Sequence, residues 1–383
     1  MRRWWAIVPV IALAAGLIVG PAGPAAPLTL TPTDPDRQCG WPIAYPGSAN
    51  YAFPDTSAAY FVQAAILGPG EEIIFAGKDP KARYWSMQTY RFSDSTLIDS
   101  VNDVTVKRLG KRGAKAKRWT ITVTSPDRDN GRNPNVLSGA GEFDGVNFGS
   151  NITVVMFRVY VSKTKTASGG PMPKVTLKSR DASGKTVTTR LKTCTKDQVG
   201  LPENRPNLTA EEGLGLEFLR GPAARFYPSA DTSYLVAQAP HREDEILVMT
   251  GRAPRTPKDM RYWSVCQNVN AGDLPVVDCL RDEQVTLDAE RRYAIAIVTT
   301  EQRARVSPKD YPGVSFLDWG DPTDGSYADA FLVYRNILPN KRFAGSASRV
   351  PVLEPAQPVI GDFAPQFAYL TVEEFASVYG TAR

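Results

Sequence analysis

The stretch RYWSMQTYRFSDSTLIDSVNDVTV, residues 83–106, occurs twice in this chain. Residues 261–285 read RYWSVCQNVNAGDLPVVDCLRDEQV, and the two share the Arg-Tyr-Trp-Ser start, with Asp99 matching Asp278 and Asp103 matching Asp282. Agreement of this kind marks one structural unit that was duplicated. In each copy two strand-like runs are joined through small polar residues, Ser93-Asp94-Ser95 or Asn270-Ala271-Gly272-Asp273, which favour turns and predict a hairpin.

The flanks repeat as well. Tyr60 follows Pro54 by six residues, as Tyr234 follows Pro228, and the apolar runs EEIIFAG (71–77) and EILVMTG (245–251) close on glycine as strands do. WTITVT (119–124) matches YAIAIVT (293–299), and ITVVMFRVYV (152–161) matches YADAFLVYRNI (327–337). Short runs of this type, with 30 Gly and 31 Pro among 383 residues, predict an all-β chain. The expected architecture is two tandem duplicated β-sandwich or jelly-roll-like domains, at 39–194 and 222–383, with a linker at 195–221. Capping boxes predict two helices. One starts at Thr209 in the linker, ahead of Leu214, Leu216 and Leu219, and one at Thr371 near the C-terminus, ahead of Phe375, Val378 and Tyr379.

Arg2 and Arg3 precede an apolar run from Trp4 to Val19 and then small residues and prolines, the order of a secretory signal peptide or an uncleaved N-terminal anchor over residues 1–26. Residues 27–38, rich in Pro and Thr, read as a spacer. Four cysteines in an exported chain predict two disulfides. Cys39 and Cys194 bracket the first repeat, while Cys266 and Cys279 lie inside the second hairpin. A bond between the latter pair sets a register with Val265 opposite Leu280 and Trp263 opposite Asp282. Carried to the first copy, that register puts Gln88 opposite Ser100, Met87 opposite Val101 and Trp85 opposite Asp103. Side chains alternate along a strand, so Trp85, Met87 and Val101 share one face, assigned to the core.

The formal charge is +5, of which Arg2 and Arg3 supply two and the segment 107–118 supplies seven, leaving −4 for the rest. That segment holds Lys107, Arg108, Lys111, Arg112, Lys115, Lys117 and Arg118 with no acid, and has no counterpart in the second repeat. Its unpaired charge would attract anionic lipid headgroups or acidic wall glycan within about 8–10 Å. Nucleic acid is not expected, for no binding motif accompanies the charge.

The carboxylates Asp99, Asp103, Asp278 and Asp282, with Arg83 and Arg261, fall on the tryptophan face of their hairpins. They read as Arg–Asp pairs that fix the hairpin, and alternatively as the paired acids of a carbohydrate hydrolase. Tyr84, Trp85, Tyr90, Trp119, Tyr160, Tyr262, Trp263 and Tyr293 read as core aromatics, with sugar platforms as the alternative. Tyr90, Phe143 and Phe148, in or near turns, are the expected surface aromatics. His241 is the single histidine and reads as a loop residue, while Ser86 and Ser264 sit mid-strand where a nucleophile is poorly placed. No cofactor is expected, and neither is a metal, since CxxC-like pairs and further histidines are missing. GAGEFDG at 139–145 lacks the lysine and helix of a phosphate loop. Asn151-Ile-Thr and Asn207-Leu-Thr match a glycosylation sequon, a pattern of low information.

At ARYWSMQTY, LIDSVNDVTV, MRYWSVCQN, VVDCLRDEQV and YPGVSFLDWG (311–320), the chain resembles an uncharacterised group of bacterial exported proteins built from β-sandwich units. The resemblance implies fold and export and carries over no catalytic residue. Together these features predict an exported, envelope-associated binding or structural protein without enzymatic activity. The alternatives are a subunit or scaffold of an envelope protein complex, and a hydrolase using the paired aspartates.

Overall fold

Runs of β-branched and aromatic residues broken by Gly, Pro and Asp fold as strands throughout the computed structural model. It describes residues 39–45, 50–109, 117–126, 133–141, 151–181, 183–194, 214–221, 226–321 and 328–380. The first half contains β1 (Ile43–Tyr45), β2 (Ala58–Ile66), β3 (Glu72–Lys78), β4 (Ala82–Arg91), β5 (Leu97–Asn102), β6 (Arg118–Thr124), β7 (Val136–Ser138), β8 (Ile152–Ser162), β9 (Lys174–Arg180) and β10 (Thr186–Arg190). The second contains β11 (Leu219–Arg220), β12 (Thr232–Pro240), β13 (Glu245–Arg252), β14 (Met260–Asn268), β15 (Val276–Arg281), β16 (Arg292–Val298), β17 (Ser315–Asp318), β18 (Asp329–Pro339) and β19 (Gln366–Thr371).

The strand order repeats. The first half has one sheet ordered β1-β2-β8-β4-β5 and one ordered β10-β9-β3-β6-β7; the second has β11-β12-β18-β14-β15 and β19-β13-β16-β17. Among the described residues only β10 lacks a counterpart. Neighbours are antiparallel except β6 with β7 and β16 with β17, parallel in both halves. The duplicated hairpins have the expected register, with Met87 opposite Val101, Gln88 opposite Ser100, Val265 opposite Leu280 and Cys266 opposite Cys279. Both also carry a bulge at the same place, where the ladder shifts after Thr89 and after Gln267. An extra residue inserted identically in both copies is a designed bend of the strand.

Each half closes on its own core, formed where the inward faces of its two sheets meet. Trp85, Met87, Val101, Trp119, Ile121 and Phe157 fill the first, and Trp263, Val265, Tyr293, Ile295, Leu317 and Tyr334 the second. The expected tryptophan face is therefore the core face. Trp85 stacks on Trp119 with centroids 5.1 Å apart, and Trp263 on Tyr293 at 5.8 Å. Both partner rings lie over a glycine, because a Cβ on Gly77 would stand 2.7 Å from Trp119 and one on Gly251 would stand 2.6 Å from the Tyr293 hydroxyl.

Helices are few. A short one, α1 (Thr300–Arg305), follows β16; α2 (Gln357–Ile360) and α3 (Val372–Tyr379) come near the end. In α3 the expected capping box is present, Thr371 with Glu374, and Phe375 is buried against Ile246 and Val248 of β13. Of the helix expected in the linker, residues 209–213 lie outside the described residues; Leu214 and Leu216 are in irregular chain and Leu219 is in β11. The disulfides are Cys39–Cys194 and Cys266–Cys279. The first joins the ends of the first sandwich, where Gly40 N donates to Lys192 O at 2.7 Å. Bonds of this kind belong to an oxidising, extracytoplasmic compartment. Among the described residues no helix is long and apolar enough to cross a membrane; the apolar run 4–19, the spacer and the sequon residue Asn207 lie outside them.

Candidate functional site

The four aspartates singled out by the duplication are all engaged, in two equivalent ways. Asp99 Oδ1 accepts from Ser100 N at 2.7 Å and Oδ2 from Ser138 N at 3.0 Å, so the carboxylate ties β5 to β7 of the facing sheet. Asp278 does the same for β15 and β17, accepting from Cys279 N at 2.8 Å and Asp318 N at 3.2 Å. The bulge one residue earlier aims each carboxylate at the neighbouring sheet's edge.

Asp103 and Asp282 are paired with arginine, but not with the arginine of their own hairpin. Arg83 Nη1 donates to Asp282 Oδ1 at 2.5 Å, and Arg261 Nη1 to Asp103 Oδ2 at 2.7 Å. Arg83 also meets Glu283, and Arg261 donates to Arg83 O at 3.1 Å. The expectation that these pairs hold each hairpin to itself is thus corrected: they hold one sandwich to the other. Burial is the largest influence on Asp103 and lifts its carboxyl above the usual range, although Arg261 and Arg108 act to lower it.

The same exchange governs the face of β4 and β14 opposite the tryptophans, a face with no assignment from the sequence. Tyr84 of the first copy donates to Asp231 Oδ2 at 2.6 Å, and Tyr262 of the second to Asp55 Oδ2 at 2.8 Å. Arg158 on β8 donates to the carbonyl of Tyr227, and its counterpart Arg335 on β18 donates to the carbonyl of Phe53 at 2.6 Å. Phe53 and Tyr227 both have positive φ, 52° and 54°, and each precedes a proline. The rings of Tyr160 and Tyr262 meet at 5.3 Å, beside Ala58, Tyr84 and Ile337. Burial, reinforced by Asp231 and Asp55, pushes the Tyr84 and Tyr262 hydroxyls well above the usual phenol range, so both stay protonated and act as donors.

Tyr90 belongs to this face and is a correction to the surface aromatics. It is fully buried, its hydroxyl lies 2.7 Å from Pro228 O and beside Gln88 Oε1, between which its one proton is shared, and it accepts from Arg158. Phe143 and Phe148 lie outside the described residues. Tyr84, Trp85, Trp119, Tyr160, Tyr262, Trp263 and Tyr293 are likewise buried, so none offers a ring to a sugar.

The basic segment stands apart. Leu109 and Arg118 form an isolated antiparallel bridge, with Leu109 N donating to Arg118 O at 2.7 Å, so the chain leaves and returns at one point beside β6. Lys107, Lys117 and Arg118 are exposed. Arg108 is tied to Asp79 Oδ2 at 2.7 Å and to the Asp103 carbonyl. Lys111, Arg112 and Lys115 lie outside the described residues.

His241 is half-buried rather than free in a loop. Its ring meets Trp319 edge-on at 5.1 Å, and loss of solvation lowers its pKa despite Glu243 and Glu301. Ser264 donates to Asp55 Oδ2 at 2.6 Å, which occupies it structurally, and Ser86 is fully buried. Among the described residues one group has metal-ligand proximity, Asp55 with Cys266 and Cys279. Those sulfurs are joined in a disulfide and offer no thiolate, so the group does not fit a metal.

The interface residues missed from the sequence are Asp55, Arg158, Asp231 and Arg335. One signal was present: an arginine recurs at the matched position of FRVY and YRNI, the sole cation of each strand.

No family model matches the chain, and no curated protein matches it. An uncharacterised protein of Burkholderia cenocepacia has a similar solved structure, with TM-score 0.50 and 10% identity, covering 88% of this chain and 83% of that one. A Vibrio parahaemolyticus protein matches at TM-score 0.41 and 11% identity, over 83% and 90%. The likeness to the Burkholderia protein is one of fold.

Proposed function

We propose that this chain is an exported, envelope-associated binding protein without enzymatic activity, whose ligand is an anionic component of the cell surface. Its N-terminal apolar run with preceding arginines supports export, and the two disulfides support an oxidising compartment. The observation that carries the reading is the basic loop. Its two ends meet at the Leu109–Arg118 bridge, and Lys107, Lys117 and Arg118 are exposed without an ion pair among the described residues. A cluster of one sign attracts headgroup phosphates or acidic wall glycan at about 1 kcal/mol per basic residue near the surface, screened by salt.

The rival readings draw on less. A hydrolase built on Asp99, Asp103, Asp278 and Asp282 would need carboxylates that here accept from backbone amides or arginine. A complex subunit docking through its sheet faces and C-terminal helix would find the faces of β4 and β14 already buried against each other.

The test replaces Lys111, Arg112, Lys115 and Lys117 with glutamine and compares binding to anionic phospholipid vesicles and to purified wall polymer over a salt series. Binding of the wild-type chain that weakens with salt, and falls at least tenfold in the variant, supports the proposal. Equal retention of the two proteins on both materials overturns it.

A further inference from the structure

Three kinds of bond between the sandwiches occur in mirrored pairs. Arg83 to Asp282 is answered by Arg261 to Asp103, Tyr84 to Asp231 by Tyr262 to Asp55, and Arg158 to the Tyr227 carbonyl by Arg335 to the Phe53 carbonyl. In each pair the donors are equivalent residues of the two copies, and the acceptors sit in equivalent segments. Such reciprocity defines an isologous contact, the kind made by two identical subunits about a twofold axis.

The loops also cross the boundary, without being mirrored bond for bond. The segment before β2 threads onto the second hairpin, with Ala52 N donating to Asp273 O at 3.0 Å and Phe53 N to Leu274 O at 2.8 Å. Phe53 stacks on Phe331 of β18 at 4.7 Å, while Tyr227, before β12, meets Tyr90 of β4 at 5.4 Å. Leu274 and Ser95, at the two hairpin turns, share the same left-handed backbone, with φ of 51° and 59°.

An isologous face carries no information about whether its partner is in the same chain. We infer that this face is a docking surface for the opposite half of a second copy, so that two chains exchange halves into a dimer in which all these bonds are remade between chains. The stretch 195–218 between Cys194 and β11, fully extended, spans at most about 80 Å at 3.3–3.6 Å per residue. Such a dimer doubles the basic loops on one particle, which would raise avidity for a surface without any new contact.

The ion pairs permit a selective test with the full chain. One variant carries Arg83→Asp and Arg261→Asp; a second carries Asp103→Arg and Asp282→Arg. Within either chain alone both pairs become like-charged, but in an exchanged heterodimer all four pairs are of opposite sign. The expected result is that a co-refolded equimolar mixture gives a species of twice the chain mass containing one of each variant by native mass spectrometry, and neither alone gives it. A third chain with all four substitutions restores opposite charges internally, and its folding shows that inverted pairs are tolerated.

Heterodimer in the mixture supports the inference. Monomers or aggregates from the mixture, while the four-substitution chain folds, overturn it. If that control fails to fold, the decision passes to wild-type chains with two isotopic labels, refolded together at rising concentration. Mixed-label dimer then supports exchange, and monomer alone at every concentration overturns it.

Discussion

Arg83 of the first copy and Asp282 of the second are bonded at 2.5 Å across the boundary between the sandwiches. The Asp282 side chain is 3% exposed, so the pair is held largely out of water and its strength depends on both partners being present.

Removing one partner is therefore expected to be worse than removing both. Asp282→Asn should lower unfolding stability by about 3 kcal/mol, because the Arg83 side chain, 14% exposed, loses its buried partner and keeps only the exposed Glu283. Arg83→Met together with Asp282→Leu should recover most of that loss. Urea denaturation of the single and double variants checks this, and additive losses would show that the pair is not coupled.

Arg158 and Arg335 occupy equivalent positions but are not equally satisfied. Arg158 reaches Gln88, Tyr90 and the Tyr227 carbonyl, whereas one guanidinium nitrogen of Arg335, Nη1, has no partner among the described residues. Each hydrogen bond to a charged group contributes about 1.5–3 kcal/mol. Arg158→Met should accordingly destabilise more than Arg335→Met, by about 2 kcal/mol, as read by thermal or urea unfolding.

Gly251→Ala tests the aromatic layer of the second core. A methyl group there would meet the Tyr293 hydroxyl at 2.6 Å, and the ring cannot retreat because it is stacked on Trp263. Overpacking of this sort costs about 1–3 kcal/mol. Gly251→Ala combined with Tyr293→Phe, which removes the clashing oxygen, should restore part of that stability.

As the single histidine, His241 gives an uncluttered titration. Its pKa is lowered from 6.5, mainly by desolvation, so the folded state binds its proton less readily than the unfolded state does. The stability it contributes is present above the unfolded pKa and is lost as pH falls through the folded one. A proton NMR titration should give a midpoint below 6.5, and His241→Gln should soften the acid side of the stability profile. A midpoint at or above 6.5 would contradict the burial against Trp319.

Strand periodicity and one repeat made much of the fold legible. The register of both hairpins was set by Cys266 and Cys279, because a disulfide across a strand pair leaves one pairing and the period of two fixes every other side chain. The short strands β7 and β17 were illegible, since three or four residues carry no periodicity and pair only through a parallel ladder with β6 and β16. Tyr90 looked like a turn residue and is buried because the neighbouring sandwich covers it.

By itself, then, the sequence determined what is local or periodic: strands, the doubled hairpin, the inward tryptophan face and the capped C-terminal helix, all consequences of backbone geometry acting over a few residues. Tertiary structure alone decided which arginine meets which aspartate. Within one copy Arg83 and Asp103 are near neighbours on the same face, and nothing in their spacing sends each to the other copy's partner. That choice arises only when two complete sandwiches meet and bury charges that must be neutralised across the boundary.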